Sequence, residues 1–202
     1  MRTSSLLAGL AAVMLASWAW CRPALGQWAV TTEVGADRFW GGSIENTEDR
    51  RSFRPYRPTT FGVGLQRKAG RLGAGLRLRY ASAGLALEGA DAVVAAKGVF
   101  TVYSVAPEVV YRALSLGSVN QLMLHLGPLF EVWSVIDEDA QTRVGIHGAV
   151  SLNLPLGSRF AGMVMAGAAL IPSVFEEGLL DPGFERRALW RRRFAVGLDY
   201  RL

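Results

Sequence analysis

The final nine residues of the chain, 194–202, alternate strictly between apolar side chains and small or charged ones. Phe194, Val196, Leu198, Tyr200 and Leu202 are apolar and lie two apart. Because successive side chains of a β-strand point to opposite faces, this spacing predicts a strand with one apolar face and one polar face. Such a strand must separate two environments, which limits the fold to one built around a sheet.

Seven earlier segments show the same strand signal. The eight predicted strands cover residues 28–40, 59–67, a segment that begins near 72, 99–112, 121–133, 143–154, 160–171 and 190–202. The segment 160–171 is apolar or small on both faces, so its facing is left open. Pro107 and Pro128 fall inside two of the strands, where each removes a ladder hydrogen bond and indicates a bulge or kink.

The predicted connections alternate in length. Residues 68–71, 113–120 and 155–159 form short connections, whereas 41–58, 88–98, 135–142 and 172–189 are mostly longer and richer in charge. Short turns at one end and long loops at the other are typical of bacterial membrane barrels. Whether the stretch around residues 90–96 extends the neighbouring strands or forms a loop is left open.

The N-terminus has the pattern of a secretory signal peptide. Arg2 precedes an apolar, uncharged stretch at residues 6–20, and small residues follow at 24–26, so we expect cleavage after Gly26. A lipoprotein signal at Cys21 is the alternative, although bulky tryptophans precede it. Cleavage after Gly26 leaves one domain, residues 27–202, without cysteine. Arg2 and Arg22 leave and no acid does, so the net charge falls from +5 to +3, which does not indicate nucleic-acid binding.

The direction in which the apolar face points decides between two classes of barrel. A soluble lipocalin-like binder would fill its interior with the apolar face, whereas a membrane barrel turns that face to lipid. Two patterns favour the membrane barrel. Glycines 62, 64, 73, 75, 127, 145 and 197 share the polar face, as a crowded interior requires. Aromatic residues gather at strand ends, as at membrane interfaces: Trp28, Tyr111, Phe160 and Tyr200 at one end, and Trp40, Tyr80, Trp133 and Trp190 at the other. The predicted fold is all-β: a closed, antiparallel, up-and-down, eight-stranded transmembrane β-barrel.

The C-terminal strand resembles the signal by which bacterial outer-membrane barrels are recognised for insertion, although that family usually ends in Phe and this chain ends in Leu. The whole pattern resembles the small eight-stranded, OmpA/OmpX-like outer-membrane barrels. The resemblance implies that Phe194, Val196, Leu198, Tyr200 and Leu202 form an assembly signal read by the barrel-assembly machinery. It also implies a monomer in the bacterial outer membrane, in contact with its lipid and lipopolysaccharide.

The polar face collects charged residues that are expected to fill the lumen. They are Glu33, Arg77, Arg79, Glu108, Arg112, His125, Glu131, Arg143 and His147, together with Asp37, Arg191, Arg193, Asp199 and Arg201. An eight-stranded barrel is just wide enough for side chains to fill it, and charges there must be paired. We therefore predict a polar, salt-bridged plug. The alternative is a narrow path for small or apolar solutes or ions, in which the excess of arginine would favour anions.

The two histidines raise the question of catalysis. With Glu131 or Ser151, His125 and His147 could form a metal pair or a hydrolase site. His147 and Ser151 lie four apart on one strand face, roughly 13 Å by strand rise, which is beyond hydrogen-bond reach. Neither GxSxG nor HExxH nor a phosphate-binding loop occurs. We predict no cofactor, no metal and no enzymatic activity, with a lipid-modifying enzyme as a lesser alternative.

An arginine-rich segment, residues 186–193, opens the last strand at the long-loop end. Arg187, Arg191 and Arg192 are predicted to contact lipopolysaccharide phosphates, for which guanidinium groups are well suited. A solvated loop edge is the alternative. The leading functional hypothesis is an integral outer-membrane protein with a structural or surface-interaction role.

Overall fold

The computed structural model describes residues 27–40, 43–45, 52–88, 93–116, 120–135, 140–173 and 184–202. The elements are β1 (Gln27–Trp40), β2 (Ser43–Glu45), β3 (Ser52–Ala69), β4 (Leu72–Glu88), β5 (Val93–Leu116), β6 (Asn120–Val135), β7 (Gln141–Pro155), β8 (Phe160–Ile171), β9 (Phe184–Arg186) and β10 (Leu189–Arg201). The predicted signal peptide, residues 1–26, lies outside the described residues.

Eight of these strands close into one antiparallel barrel, in the order β1-β10-β8-β7-β6-β5-β4-β3. The closure joins the first strand to the last, and β1 also pairs with β3, so Glu33 lies between Gly197 of β10 and Gly62 of β3. The prediction of an all-β, up-and-down, eight-stranded barrel is confirmed. The sequence did not predict β2 and β9, which pair with each other outside the barrel.

No helix in the described part of the chain is long and apolar enough to span a membrane.

Two strands are clearly longer than the sequence predicted. β3 begins at Ser52 rather than near residue 59, and β4 and β5 leave only residues 89–92 between them. The connection between β4 and β5 is therefore shorter than the 88–98 expected, and residues 93–96, whose structure the sequence left open, belong to β5. Pro55 and Pro58 conceal the start of β3. The ladder with β4 shifts register between Tyr56 and Thr59, and an irregularity of this kind accommodates a proline.

The two ends of the barrel differ in their connections. At one end, here called the short-turn end, the strands are joined by residues 70–71, 117–119 and 156–159. Gly70 has φ = +65° and opens the two-residue turn between Ala69 and Leu72, a position that favours glycine in tight hairpins. The opposite end is called the long-loop end. The chain begins β1 and finishes β10 at the short-turn end.

The apolar face of the strands points outward. Large exposed hydrophobic residues on the barrel wall include Val34, Phe61, Leu65, Leu78, Val105, Val109, Leu126, Ile146, Phe194 and Val196, and Leu126 is 66% exposed. Charged residues of the other parity are buried inside. A surface of this kind is stable only when lipid covers it, because exposing it to water would forfeit the hydrophobic effect. In β8, Ala161, Met163 and Met165 are buried inside, which assigns the facing that the sequence left open.

Interior glycines make room for the buried carboxylates. A Cβ placed on Gly62 would lie 2.8 Å from the Glu33 side chain, and one placed on Gly75 would lie 3.1 Å from that of Glu108. These separations are too short for ordinary carbon contacts. The glycines on the polar face therefore allow acidic side chains to lie flat against the inner wall.

The two prolines lie opposite each other. The β5–β6 ladder pairs Val105 with Phe130 and Val109 with Leu126, and the same register places Pro107 against Pro128 in the gap between those pairs. Neither proline has a backbone N–H group, so the two missing hydrogen-bond donors lie at the same point of one ladder. The register is unchanged across the gap, and the expected bulge is therefore absent at this point.

The structure agrees with some of the predicted aromatic positions and corrects two of them. Tyr80 lies well inside β4, which continues to Glu88. Phe160 and Tyr200 meet at 5.0 Å between ring centroids at the short-turn end, and Trp190 is exposed at the long-loop end. Trp133 was expected among these interfacial residues, but its side chain is 1% exposed and lies inside the barrel. It shares the parity of Glu131, two residues earlier, and strand alternation therefore turns it inward.

Candidate functional site

Arg77 joins two carboxylates at the centre of the lumen. Its guanidinium bonds Glu33 and donates to Oε1 of Glu108 at 2.9 Å. Nε of Arg79 donates to the other oxygen of Glu33 at 2.9 Å, and Arg193 lies 3.7 Å from that oxygen. These residues are buried and come from β1, β4, β5 and β10. The charges therefore compensate one another, as burial requires.

A hydrogen-bonded chain continues from Glu108 toward the short-turn end. Glu108 is 3.1 Å from Nδ1 of His125, and Nε2 of His125 is 2.9 Å from Oγ of Ser151. Ser151 donates to Oδ1 of Asn153 at 3.1 Å. Asn153 in turn donates to Oδ2 of Asp199. Each side chain between the central arginine and Asp199 thus makes at least one polar contact with the next, while Oε2 of Glu108 has no hydrogen-bond partner among the described residues.

A second cluster lies nearer the long-loop end. Arg191 donates to Glu131 at 2.6 Å, and Glu131 also accepts from Ser104 at 2.8 Å. Asp37 lies 3.4 Å from Arg193 and 3.9 Å from Arg191. The predicted contact between Arg191 and lipopolysaccharide is therefore wrong, because this side chain is buried between two carboxylates inside the barrel.

The buried charges of the lumen are nearly balanced. Among the described residues, the buried acids are Glu33, Asp37, Glu108, Glu131 and Asp199, and the buried arginines are Arg77, Arg79, Arg191 and Arg193. The excess of arginine that would have favoured an anion path is therefore not found in this buried set. His147 is also buried, and its Nε2 has no hydrogen-bond partner among the described residues.

Two of the predicted lumen residues lie near the ends of the barrel instead. Arg143 is half-buried at the long-loop end, where its guanidinium donates to the carbonyl of Ser173 at 2.9 Å and to that of Thr142 at 3.2 Å. Arg112 is half-buried and lines a cavity at the short-turn end. Each follows the polar parity, but strand position places both beyond the central network.

An apolar cluster fills the lumen at the long-loop end. Its buried members are Phe39, Ala81, Ala83, Phe100, Val102, Trp133 and Leu189. The rings of Phe39 and Phe100 meet Trp133 edge-on, at 5.9 and 6.0 Å between centroids. The indole of Trp133 donates to Glu131 at 3.0 Å, which connects this cluster, here called the apolar seal, to the ionic layer below it. In the part of the chain that the structure describes, these side chains occupy the lumen at this end.

The sequence analysis named His125 and Ser151 as candidates, and the structure brings them into contact, with Glu108 on the other side of the imidazole ring. The ladder pairs His125 with Ala149, so Ser151 is a diagonal neighbour on the same face. The spacing along one strand had excluded a direct contact between His147 and Ser151, but it did not bear on His125, which lies on a different strand. Nucleophilic catalysis also needs access for a substrate, yet Ser151 is 1% exposed. Among the described residues, no group of three or more His, Cys, Asp and Glu is placed to hold a metal ion.

Two arginines lie on the outer surface at the long-loop end, around Trp40. Arg38 of β1 pairs with Arg192 of β10 across the closure of the barrel. Their guanidinium carbons lie 5.1 and 4.6 Å from the centre of the Trp40 ring. Both side chains are exposed, as is Arg187 at the start of the last strand. The sequence analysis missed Arg38, although its parity placed a charge on the lipid-facing side of β1.

The fold has solved counterparts, although no family model and no curated protein matches the sequence. Neisserial surface protein A is 8% identical, with a TM-score of 0.58 over 86% of this chain and 96% of that one. The outer membrane protein OprG from Pseudomonas aeruginosa is 13% identical, with a TM-score of 0.54 over 88% and 96%. The chain therefore has the fold of the small eight-stranded β-barrels of the bacterial outer membrane.

Proposed function

We propose that the protein is a monomeric, non-conducting outer-membrane barrel that anchors itself to lipopolysaccharide through Arg38, Arg187 and Arg192 and has a structural role in the envelope. The apolar seal and the ionic network support a closed lumen. The arginine pair around Trp40 supports the anchoring role. Measurable single-channel conductance of the purified barrel in planar bilayers would contradict the closed lumen.

The stacked arginine pair carries the lipopolysaccharide proposal. Two like charges on neighbouring strands repel each other, and the ring of Trp40 between them compensates only partly by cation–π attraction. A phosphate group held by both guanidinium groups would relieve that repulsion. Trp190, opposite Trp40 in the ladder, is exposed beside them. Aromatic residues of this kind mark the interfacial depth at which phosphates lie.

The test is the heat stability of the folded barrel with and without lipopolysaccharide, measured by SDS-gel mobility after heating. The double variant Arg38→Gln, Arg192→Gln is expected to lose the stabilisation that lipopolysaccharide gives the wild type. The matched control is Arg67→Gln, because Arg67 also stacks on a tryptophan, Trp28, at 5.6 Å, but at the short-turn end. Dephosphorylated lipopolysaccharide is expected to stabilise none of the proteins. Equal stabilisation of the double variant and the control would refute the anchoring role.

We also propose that the outward face of β10 is an assembly signal. Phe194, Val196, Leu198 and Leu202 are exposed on that face, which leaves them accessible to a recognition partner before the barrel closes. Replacing Tyr200 and Leu202 with Asp is expected to block accumulation in the outer membrane, while the internal network stays intact. Normal outer-membrane levels of this double variant, measured by fractionation, would exclude the proposed signal.

A further inference from the structure

A cavity of about 320 Å³ opens at the short-turn end of the lumen. It is lined by residues from the ends of several strands, and Asn153 and Asp199, the last members of the hydrogen-bonded chain from Glu108, form part of its wall. Its volume lies within the range of small-molecule sites. The cavity is therefore separated from the apolar seal by the whole ionic network.

Positive charge dominates the wall of this cavity. Lys68, Arg71, Arg112 and Arg201 line it, and Asp199 is the acid among its lining residues. Lys68 lies close enough to Arg112, Arg201 and Asp199 for electrostatic interaction with each of them. Four cations therefore converge on a space that contains one carboxylate.

Both carboxylate oxygens of Asp199 already accept hydrogen bonds from other side chains. Its Oδ1 accepts a hydrogen bond from Thr31 at 2.5 Å, and its Oδ2 accepts one from Asn153. Within the described residues, no side-chain hydrogen bond and no ion pair within 4.0 Å engages Lys68, Arg112 or Arg201. The mutual repulsion of the cations is thus only partly offset by the protein itself.

We propose that this cavity is a binding site for phosphate-bearing anions, with Lys68, Arg112 and Arg201 as the binding residues. Guanidinium and ammonium donors bind phosphate through charge-assisted hydrogen bonds. Three positive charges that one carboxylate offsets only in part favour a multiply charged anion over a single carboxylate. The site is independent of the proposed lipopolysaccharide contact, which lies on the outer wall at the opposite end.

Two sources share this chemistry: a free phosphate compound in solution and the headgroup of a phospholipid at the same end of the barrel. Pyrophosphate serves as the soluble probe, titrated calorimetrically into the full barrel in an uncharged detergent at low salt. Vesicles of phosphatidylcholine with and without phosphatidylglycerol serve as the lipid probe, with the urea midpoint of unfolding as the readout.

The test variant is Lys68→Gln combined with Arg112→Gln, and Arg201→Gln is a second, single variant. Arg67→Gln is the matched control, because Arg67 precedes Lys68 in β3 but stacks on Trp28 on the outer wall. Pyrophosphate is expected to bind the wild type and the control equally, and the double variant at least roughly tenfold more weakly. Added salt should weaken binding to the wild type.

The pyrophosphate titration and the vesicle experiment together distinguish a soluble phosphate ligand from a phospholipid headgroup. One outcome is that pyrophosphate fails to bind while phosphatidylglycerol raises the urea midpoint of the wild type but not that of the double variant. In that case the ligand is the lipid headgroup, and the cavity is still an anion site. If neither probe distinguishes the double variant from Arg67→Gln, the cavity is not an anion site. Folding of each variant is checked by its mobility shift on boiling.

Discussion

The two ends of the lumen follow the same strand parity but have opposite chemistry. At the long-loop end, inward positions carry Phe39, Phe100 and Trp133, which pack into an apolar seal. At the short-turn end, inward positions carry Lys68 and Arg201, which line an open cavity. Parity decides that a side chain points inward, but the residue type decides whether the space is filled or left open to water and ions.

The difference between the two ends indicates which part of the lumen contributes most to the free energy of unfolding. The seal and the ionic layers consist of buried side chains packed against or paired with other protein groups, so removing one of them leaves a void or an unpaired charge. The cavity consists of half-exposed cations that repel one another. Substitutions are therefore expected to have large effects in the sealed part of the lumen and small or opposite effects at the cavity.

The largest effect is expected from Glu33→Ala. This change leaves Arg77 and Arg79 buried without their shared carboxylate, which should cost about 3 to 5 kcal/mol in the free energy of unfolding. Reversible urea unfolding in lipid vesicles, followed by tryptophan fluorescence, measures it. Adding Arg79→Met should recover part of the loss, because one uncompensated charge is removed. A loss below about 1 kcal/mol would mean that lumen water replaces the carboxylate.

Leu189→Ala tests the apolar seal. Leu189 is fully buried against the aromatic cluster, so truncation should cost about 3 kcal/mol, within the usual range for a core leucine. The control is Leu126→Ala, on the lipid-facing wall, where lipid tails can fill the space that the side chain leaves. Equal losses for the two variants in the same unfolding experiment would show that the seal is loosely packed.

Ser151→Ala tests the hydrogen-bonded chain between the two ends. The change leaves Nε2 of His125 without its partner and should cost about 1 to 2 kcal/mol. Ser82→Ala, at an exposed position of β4, should stay within about 0.5 kcal/mol of the wild type. A neutral result for Ser151→Ala would indicate that its hydroxyl contributes no net stabilisation to the chain.

The smallest effect, and the only one of opposite sign, is expected from Lys68→Gln. Removing one of the repelling cations at the cavity should leave stability unchanged or raise it by about 0.5 kcal/mol at low salt. Raising the salt concentration should reduce any gain. A loss of more than about 1 kcal/mol would mean that Lys68 supports the fold, and the contrast between the two ends would then disappear.

Much of the architecture was predictable because strand alternation is a local property. The strand number, the closed antiparallel order and the inward parity of Glu33, Arg77 and Glu131 follow from a two-residue period. The wrong predictions concern residues whose type suggested one location and whose position in the strand suggested another. Pro55 and Pro58 concealed the start of β3. Trp133 was grouped with interfacial aromatics by type alone, and Arg191 was assigned to lipid although its parity pointed inward.

The sequence by itself determined which residues share a face, because that depends only on the spacing along one strand. The tertiary structure alone decided which residues meet across strands. The contact between His125 and Ser151, the pairing of Arg38 with Arg192 and the convergence of Lys68, Arg112 and Arg201 all depend on register and closure. Register is fixed by the ladder hydrogen bonds and by closure of the whole barrel, and no single segment of sequence contains that information.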